Sequence, residues 1–180
     1  KMNVIFVVFD AARADRFSTY GHSRRTTPEV TAFAREGIIF TRTFSQALTT
    51  RCSISTLFTG FPLSVTSVYG AFSKLPPELT TLAQFFRDKG IYTACINGMA
   101  SIASTFGFDR GFDEYMGLYR KEGFTRKSQE YIPYFRPWLT ENKDRQFFLY
   151  LHFKEPHAVY RPVPEFEGFF SKTCEERVSL

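Results

Sequence analysis

The sequence predicts an α/β fold in which a mostly parallel sheet is sandwiched by helices. Residues 3–9 form an unbroken β-branched and aromatic run that stops at Asp10, which is typical of a strand buried on both faces of a parallel sheet. Residues 78–89 carry apolar side chains at helical spacing, end at Gly90, and lead into a second strand-like run at 91–96. Helices that alternate with strands indicate this fold class.

The chain between these segments predicts a helix, a strand and another helix. Thr27 can cap the first helix, which has Pro28 at its first position and ends before Gly37. Residues 38–44 regain strand character. Residues 51–58 predict a helix that ends near the next glycine, so this strand delivers the chain to the start of a helix.

The last third predicts a loop, a helix and a final strand. Residues 106–117 contain the near-repeat Gly-Phe-Asp-Arg-Gly-Phe-Asp and predict an ordered loop. Residues 128–140 predict a helix despite two prolines, and residues 146–153 predict the last buried strand. That strand ends in the segment that carries His152 and His157. No linker or low-complexity tract divides the 180 residues, so a single domain is expected.

Composition points to a small anionic partner rather than to nucleic acid. The formal net charge is +5 and the isoelectric point is near 9.2, but the basic residues are scattered along the chain. Three cysteines without a Cys-x-x-Cys spacing indicate neither a disulfide framework nor a zinc knuckle. No apolar run reaches the ~18 residues that cross a bilayer, and the first residues lack signal-peptide architecture. The compartment and the oligomeric state stay open.

The predicted chemistry lies where the strands end. Ligands of open α/β sheets bind outside the carboxyl ends of the strands, where this chain presents Asp10, Thr50 and the segment 152–157. A carboxylate can hold a divalent metal, a hydroxyl at a helix N-terminus can attack, and a histidine can protonate a leaving group. Taken singly, Asp10 could accept backbone amides, Thr50 could cap the helix, and His157 could be a surface loop residue.

Motifs along nearly the whole chain resemble the sulfatase family of the alkaline phosphatase superfamily. They occur in the order of that family, at residues 7–16, 27–40, 53–60, 81–94, 106–113 and 152–157. The resemblance implies an alkaline-phosphatase-like sheet, with residues 1–180 as the N-terminal part of a single catalytic domain. In this register Asp10 is the metal-binding aspartate that follows the first strand. Counting back from Thr59 and Gly60 puts the nucleophile at Thr50.

The resemblance therefore implies a metal-dependent hydrolase of sulfate or phosphate esters. Asp10 and Thr50 would hold a divalent cation, either calcium, manganese or zinc. Thr50 would attack the ester, and His157 or His152 would assist the departing alkoxide. The expected partner is a small anionic ester. Two alternatives are a phosphoryl-group transferase of the phosphoethanolamine-transferase type and a non-catalytic relative that only binds anions.

The sequence also departs from the family pattern. Sulfatases carry a cysteine at the nucleophile position that is oxidised to formylglycine, whereas this chain has Thr50, and Cys52 lacks the surrounding Pro and Arg. A threonine here resembles the phosphoethanolamine transferases. Ala11 replaces a second acidic ligand, and Asn97 falls where many sulfatases place a lysine and histidine. The later Asp-His or Asp-Asn ligand pair has no counterpart before Leu180, so we expect a domain that is either truncated or inactive in isolation, since zinc and calcium need at least four ligands.

Overall fold

A computed structural model describes residues 2–119, 128–158, 160 and 164–166. Its centre is a four-stranded sheet of order β1-β4-β2-β3 in which every neighbouring pair is parallel. The strands are β1 (Val4–Phe9), β2 (Tyr92–Asn97), β3 (Glu114–Gly117) and β4 (Phe147–Phe153). The predicted parallel sheet is confirmed, and its two longest pairings join β4 to β1 and to β2.

Helices lie on both faces of the sheet. The α-helices are α1 (Pro28–Ala34), α2 (Thr50–Thr59), α3 (Leu63–Thr66), α4 (Leu82–Arg87) and α5 (Ile132–Asn142). Single turns of 3-10 helix lie at Ala14–Arg16, Ser18–Tyr20, Ala100–Ile102, Ser104–Phe106, Ser128–Tyr131 and Pro164–Phe166. In the part of the chain that the structure describes, no helix has both the length and the apolar character needed to span a membrane.

The two faces of the sheet carry two separate hydrophobic clusters. Alternate side chains of a strand point to opposite faces, so Phe148 and Tyr150 of β4 pack with α2 and α4, whereas Leu149 and Leu151 pack with α5. Phe58 of α2 lies edge-on to Tyr150, with ring centroids 4.9 Å apart. Such an aromatic pair is worth about 0.5–1.5 kcal/mol beyond its buried area, so this contact fixes α2 against the sheet.

The prediction that β1 is buried on both faces is wrong. Val4, Phe6 and Val8 pack against the cluster shared with α2, but Ile5, Val7 and Phe9 on the other face are exposed. β1 is an edge strand, and α5 packs over the neighbouring strands β2 and β4 instead. The continuous apolar run therefore predicted the strand but not which of its faces is covered in this structure.

Three other predicted segments also differ in the structure. Residues 38–44 are irregular and exposed rather than a strand, because a strand forms only where a second strand supplies hydrogen bonds, and none of the four described strands pairs with this segment. The loop predicted at 106–117 ends instead in strand β3, which pairs with β2. Helix α4 covers only the middle of the predicted 78–89, and it begins at a capping box formed by Thr81 and Gln84. The polar tail at 171–180 lies outside the described residues.

Gly111 supplies the first test of the fold. Its φ is +91°, and a Cβ built there would lie 2.1 Å from the backbone nitrogen of Gln84. Gly111→Ala should lower the free energy of unfolding by about 2–4 kcal/mol, because a left-handed residue would also clash with backbone that cannot rotate away. Urea unfolding followed by circular dichroism measures the loss.

Gly37→Ala is the matched control for that variant. A Cβ at Gly37 would have only the Ala34 carbonyl oxygen within 4.0 Å, and its backbone angle is an ordinary one. This substitution should change stability by less than about 0.5 kcal/mol. Equal stability losses for the two variants would contradict the close packing of the 107–113 loop on α4.

Candidate active site

The polar residues singled out by the sequence meet at one end of the sheet. Asp10 follows β1, His152 and His157 lie at and beyond the end of β4, and Thr50 opens α2. All four line a single pocket of about 590 Å³. That volume lies within the range of about 300–1,000 Å³ usual for small-molecule sites, and the site is at the carboxyl ends of the strands, as expected for an open α/β sheet.

Thr50 is the first residue of α2, and its side chain turns toward β1. The capping position is held by Thr49, whose backbone is extended and whose side chain makes no capping hydrogen bond. The Thr50 hydroxyl instead donates a hydrogen bond of 2.9 Å to Oδ2 of Asp10. The Thr50 hydroxyl therefore lies in two surroundings that favour an activated hydroxyl. It donates a hydrogen bond to a carboxylate, and it lies at the positive end of a ten-residue helix.

Asp10 is held by its neighbours on both sides. Its backbone nitrogen donates to the carbonyl oxygen of Phe153 at 3.0 Å, which extends the β1-β4 ladder by one residue. Burial raises the pKa of Asp10, but the His152 imidazole, the Thr50 hydroxyl and His157 together outweigh it and bring this pKa below its ordinary value. The carboxylate is therefore ionised at neutral pH and is available to a cation.

The backbone turns sharply directly after Asp10. Ala11 has a φ of +57°, in the left-handed region that costs a residue with a Cβ about 1–2 kcal/mol. Ala11 also lines the pocket. A strained alanine beside the carboxylate marks the position where the sequence analysis noted a missing acidic ligand.

His152 is almost completely enclosed. Its side chain is 1% exposed, and its Nε2 lies 3.5 Å from Oδ2 of Asp10. Its other ring nitrogen, Nδ1, is 2.9 Å from the hydroxyl of Tyr150. Burial raises the pKa of Tyr150 well above its ordinary value, so the phenol stays neutral and can either donate or accept this hydrogen bond.

Tyr150 is the site residue that sequence reasoning missed. The signal was present, because residues two apart on a strand share a face, so Tyr150 and His152 in β4 had to point the same way. Both lie on the face that packs against α2. A buried Tyr-x-His pair on the strand next to Asp10 is therefore part of the same polar cluster.

His157 occupies a more open part of the pocket. Its backbone nitrogen donates to the carbonyl oxygen of Lys154 at 2.9 Å, and its Nδ1 is 2.7 Å from the carbonyl oxygen of Ala158. With Nδ1 held by the backbone, Nε2 is the nitrogen left for exchange with a ligand. Because His157 is only half-buried, it is better placed than His152 to reach an incoming group.

The positively charged and amide residues near the site are used structurally. Arg51 is buried, donates from Nε to the carbonyl oxygen of Ser101 at 2.6 Å, and lies over the ring of Phe106. It ties the first turn of α2 to the loop after β2. The fully buried Asn97 bonds both backbone groups of Met99 and so does not reach the pocket.

Arg13, Asp15 and Cys52 have structural roles. Arg13 and Asp15 form an exposed ion pair at 2.8 Å rather than a part of the pocket lining. Cys52 is a free, buried thiol in α2 and serves as a small apolar side chain.

Few side chains of this pocket could bind a divalent cation. Within the described ranges, His, Cys, Asp and Glu side chains form no cluster of three or more that could hold a metal ion. Asp10 and Thr50 nevertheless present two oxygens 2.9 Å apart, and Nε2 of His152 is a buried nitrogen with no hydrogen-bond partner beside them. An ionised carboxylate next to such an orphaned nitrogen suits a divalent metal.

Comparison with known proteins supplies the family. The family model described as Sulfatase matches residues 2–179, which is nearly the whole chain. The chain belongs to the sulfatase family. As a sulfatase-family domain it is related to proteins that are generally dependent on divalent metals.

Proteins similar to this sulfatase-family chain include a sulphohydrolase, a phosphonate monoester hydrolase and a phosphoethanolamine transferase. It is 26% identical to human N-sulphoglucosamine sulphohydrolase over 160 residues, 85% of this chain and 31% of that protein. Its fold resembles the phosphonate monoester hydrolase of Agrobacterium radiobacter (TM-score 0.77, 22% identity, 91% of this chain and 43% of that one). It also resembles the soluble domain of lipooligosaccharide phosphoethanolamine transferase A from Neisseria meningitidis (TM-score 0.61, 19% identity, 86% and 45%). The chain spans about a third of the length of its curated relatives.

The lowered pKa of Asp10 can be tested directly. The carboxyl carbon NMR shift of Asp10, followed against pH in the metal-free protein, should give a pKa below the ordinary aspartate pKa of about 3.9. Because the native pKa is lowered, ionised Asp10 stabilises the folded state at neutral pH, and this contribution is lost as the pH falls through the native pKa.

His152→Gln is the comparison variant for this titration. It removes the imidazole that lowers the pKa most, so the Asp10 midpoint should rise relative to the parent protein. A midpoint at or above the ordinary carboxyl value in the parent would contradict the arrangement of Asp10, Thr50 and His152 described above.

Proposed function

We propose that this chain carries the nucleophile of a metal-dependent hydrolase of sulfate or phosphate esters, with Thr50 as the attacking group. The observation that supports this most directly is the hydrogen bond of 2.9 Å from the Thr50 hydroxyl to Asp10. It lies inside a pocket at the start of a helix, where an anion is favoured. The net positive charge of the chain agrees with an anionic substrate.

Each residue has a distinct task in the proposed reaction. Asp10 accepts the hydroxyl hydrogen of Thr50 and orients its oxygen, and backbone N–H groups in the first turn of α2 meet the substrate's non-bridging oxygens. Thr50 Oγ1 forms a bond to the sulfur or phosphorus as the bond to the leaving alkoxide breaks, and His157 gives that alkoxide a proton. The hydroxyl proton of Thr50 passes to Asp10 in this step. His157 then takes a proton from water, which attacks the sulfur or phosphorus; the bond to Oγ1 breaks, inorganic sulfate or phosphate leaves, and the proton on Asp10 returns to Thr50.

Asp10 and Thr50 would hold the divalent metal, which supplies charge stabilisation and lowers the pKa of a bound oxygen. Calcium, manganese and zinc were the candidates raised by the sequence. The other parts of the reaction are carried out by this chain's own residues. Asp10 orients Thr50 through a hydrogen bond, the N-terminus of α2 attracts the anion, and the half-buried His157 supplies the proton. The metal and these residues would have the same roles with a sulfate ester and with a phosphate ester.

One observation favours a second candidate function, transfer of a phosphoryl-linked group. The nucleophile position holds a threonine with a plain hydroxyl instead of the cysteine that sulfatases oxidise, and a phosphoethanolamine transferase is among the structural neighbours. In that reaction Thr50 would pass its substituent to an acceptor alcohol rather than to water. The two functions share the first step and differ only in the acceptor of the second.

Thr50→Ala tests the nucleophile. Removing the hydroxyl should lower hydrolysis of p-nitrophenyl sulfate, phosphate or phosphodiester by about 10³-fold or more, because the proposed covalent ester forms on this oxygen. The assays are run with added zinc, manganese or calcium, both on this chain and on the longest natural polypeptide that contains it. The substrate cleaved fastest identifies the ester class.

Thr59→Ala is the matched control. Thr59 ends the same helix, where its hydroxyl donates to the carbonyl oxygen of Ser55 and accepts from the backbone N–H of Phe61, and it does not line the pocket. This variant should keep kcat and KM within about twofold. Full activity of Thr50→Ala would refute Thr50 as the nucleophile, whereas anion binding without turnover in every form would favour the non-catalytic alternative that Ala11 and Asn97 suggested.

A further inference from the structure

The starting observation is a buried nitrogen without a partner. Nε2 of His152 is enclosed, yet it makes no hydrogen bond. The nearest acceptor is Oδ2 of Asp10 at 3.5 Å, which is longer than the 2.7–3.2 Å of ordinary hydrogen bonds. Buried polar atoms in native proteins are nearly always satisfied, so this one needs an explanation. His152 also lines the pocket that Asp10 and Thr50 share, so the unsatisfied nitrogen belongs to a residue of that site.

The opposite side of the same ring is already held. Nδ1 of His152 is 2.9 Å from the hydroxyl of Tyr150, which is itself fully buried. Phe58 packs edge-on against Tyr150, so the phenol cannot swing away. Metal-binding histidines usually have their second nitrogen fixed in this way, because the fixed hydrogen bond sets the tautomer and aims the free nitrogen at the metal.

The distances around Asp10 are also those expected of ligands that share one metal ion. Two ligands that bind one metal at about 2.0–2.2 Å, with angles of about 90–110°, lie roughly 2.8–3.6 Å apart. The Thr50 oxygen is 2.9 Å and the His152 nitrogen is 3.5 Å from the same Asp10 oxygen. Both separations lie within that range, so each of these two atoms can share an ion with Oδ2 of Asp10.

We propose that Nε2 of His152 is a third protein ligand of the cation held by Asp10 and Thr50, and that Tyr150 orients it. This inference rests on the metal site of the proposed function and goes beyond it by naming the class of metal. Imidazole nitrogen suits zinc and other first-row transition metals, whereas calcium and magnesium prefer oxygen ligands. Three protein ligands with an open fourth position is also the pattern of catalytic zinc sites.

The competing role for His152 is that of a brace. In that case the ring only steadies the Asp10 carboxylate, and a metal would be held by oxygen ligands alone. A brace and a ligand differ in metal preference: loss of a nitrogen ligand weakens zinc binding far more than calcium binding, whereas loss of a brace weakens both alike.

Metal titrations separate the two roles. Zinc and calcium are titrated by calorimetry into the parent protein, which is this chain with Cys174→Ser, and into the variants His152→Ala and Tyr150→Phe of that parent. The Cys174→Ser substitution removes a thiol that lies outside the described residues. The parent should bind zinc more tightly than calcium. His152→Ala should weaken zinc binding by more than about 100-fold and Tyr150→Phe by about 10-fold, since even outer-shell partners are worth about 10- to 100-fold. Calcium affinity should change by less than about threefold in both variants.

His22→Gln is the matched control for adventitious binding by histidine. His22 is bonded to Arg24 in a loop and does not line the pocket, so its loss should leave zinc affinity unchanged. Circular dichroism checks that each variant is folded. If His152→Ala does not fold, ring nitrogen NMR of the parent protein answers the same question, because zinc should shift the Nε2 resonance of His152 and leave its Nδ1 bonded to Tyr150.

Asp10→Ala distinguishes failure of this inference from failure of the proposed function. Zinc binding that is lost in Asp10→Ala but unchanged in His152→Ala, with no shift at Nε2, would refute the third ligand and leave the metal site intact. A parent protein that binds no divalent metal at all would refute both. Equal losses of zinc and calcium affinity in His152→Ala would assign the residue as a brace and overturn the inference.

Discussion

The hydrogen bond from Thr50 to Asp10 joins the two halves of the site. Asp10 is fixed by the end of β1, and Thr50 is fixed by the first turn of α2, so the bond forms only if the helix sits at the correct height on the sheet. A hydrogen bond to a charged acceptor contributes about 1.5–3 kcal/mol, too little to position a helix by itself. The position must therefore come from packing beneath the site.

Phe58 provides much of that packing. It lies two turns beyond Thr50 on the same helix, and its ring contacts Tyr150 as well as Phe108 and Phe112. Tyr150 in turn holds His152, which stands beside Asp10. Helix α2 thus positions the Thr50 hydroxyl, and the contact of its Phe58 with Tyr150 stabilises strand β4, which carries His152. This coupling explains how a polar cluster keeps its geometry beside an open pocket.

Much of this arrangement could be predicted from the sequence. The apolar runs ending at Asp10 and near His152 predicted two strands of the sheet, and a parallel sheet brings such ends to the same edge. The proposal of Thr50 as the nucleophile came from the family register, and the structure shows Thr50 as the first residue of α2. The predictions that failed concern strand pairing. Residues 38–44 have the composition of a strand, but none of the described strands pairs with them. The short β3 was not predicted, and it is joined to β2 by hydrogen bonds between Asp113 and Thr93. Strand pairing depends on distant segments that local pattern cannot reveal.

The most direct test of the account is to trap the group that Thr50 is proposed to carry. The metal-loaded protein is mixed with p-nitrophenyl phosphate or sulfate, quenched in acid during turnover, and digested for peptide mass spectrometry. We predict a phosphoryl or sulfuryl group on Thr50, absent from protein quenched before substrate is added. Turnover that leaves Thr50 unmodified, or that modifies the neighbouring Ser53 instead, would contradict the assignment of the nucleophile.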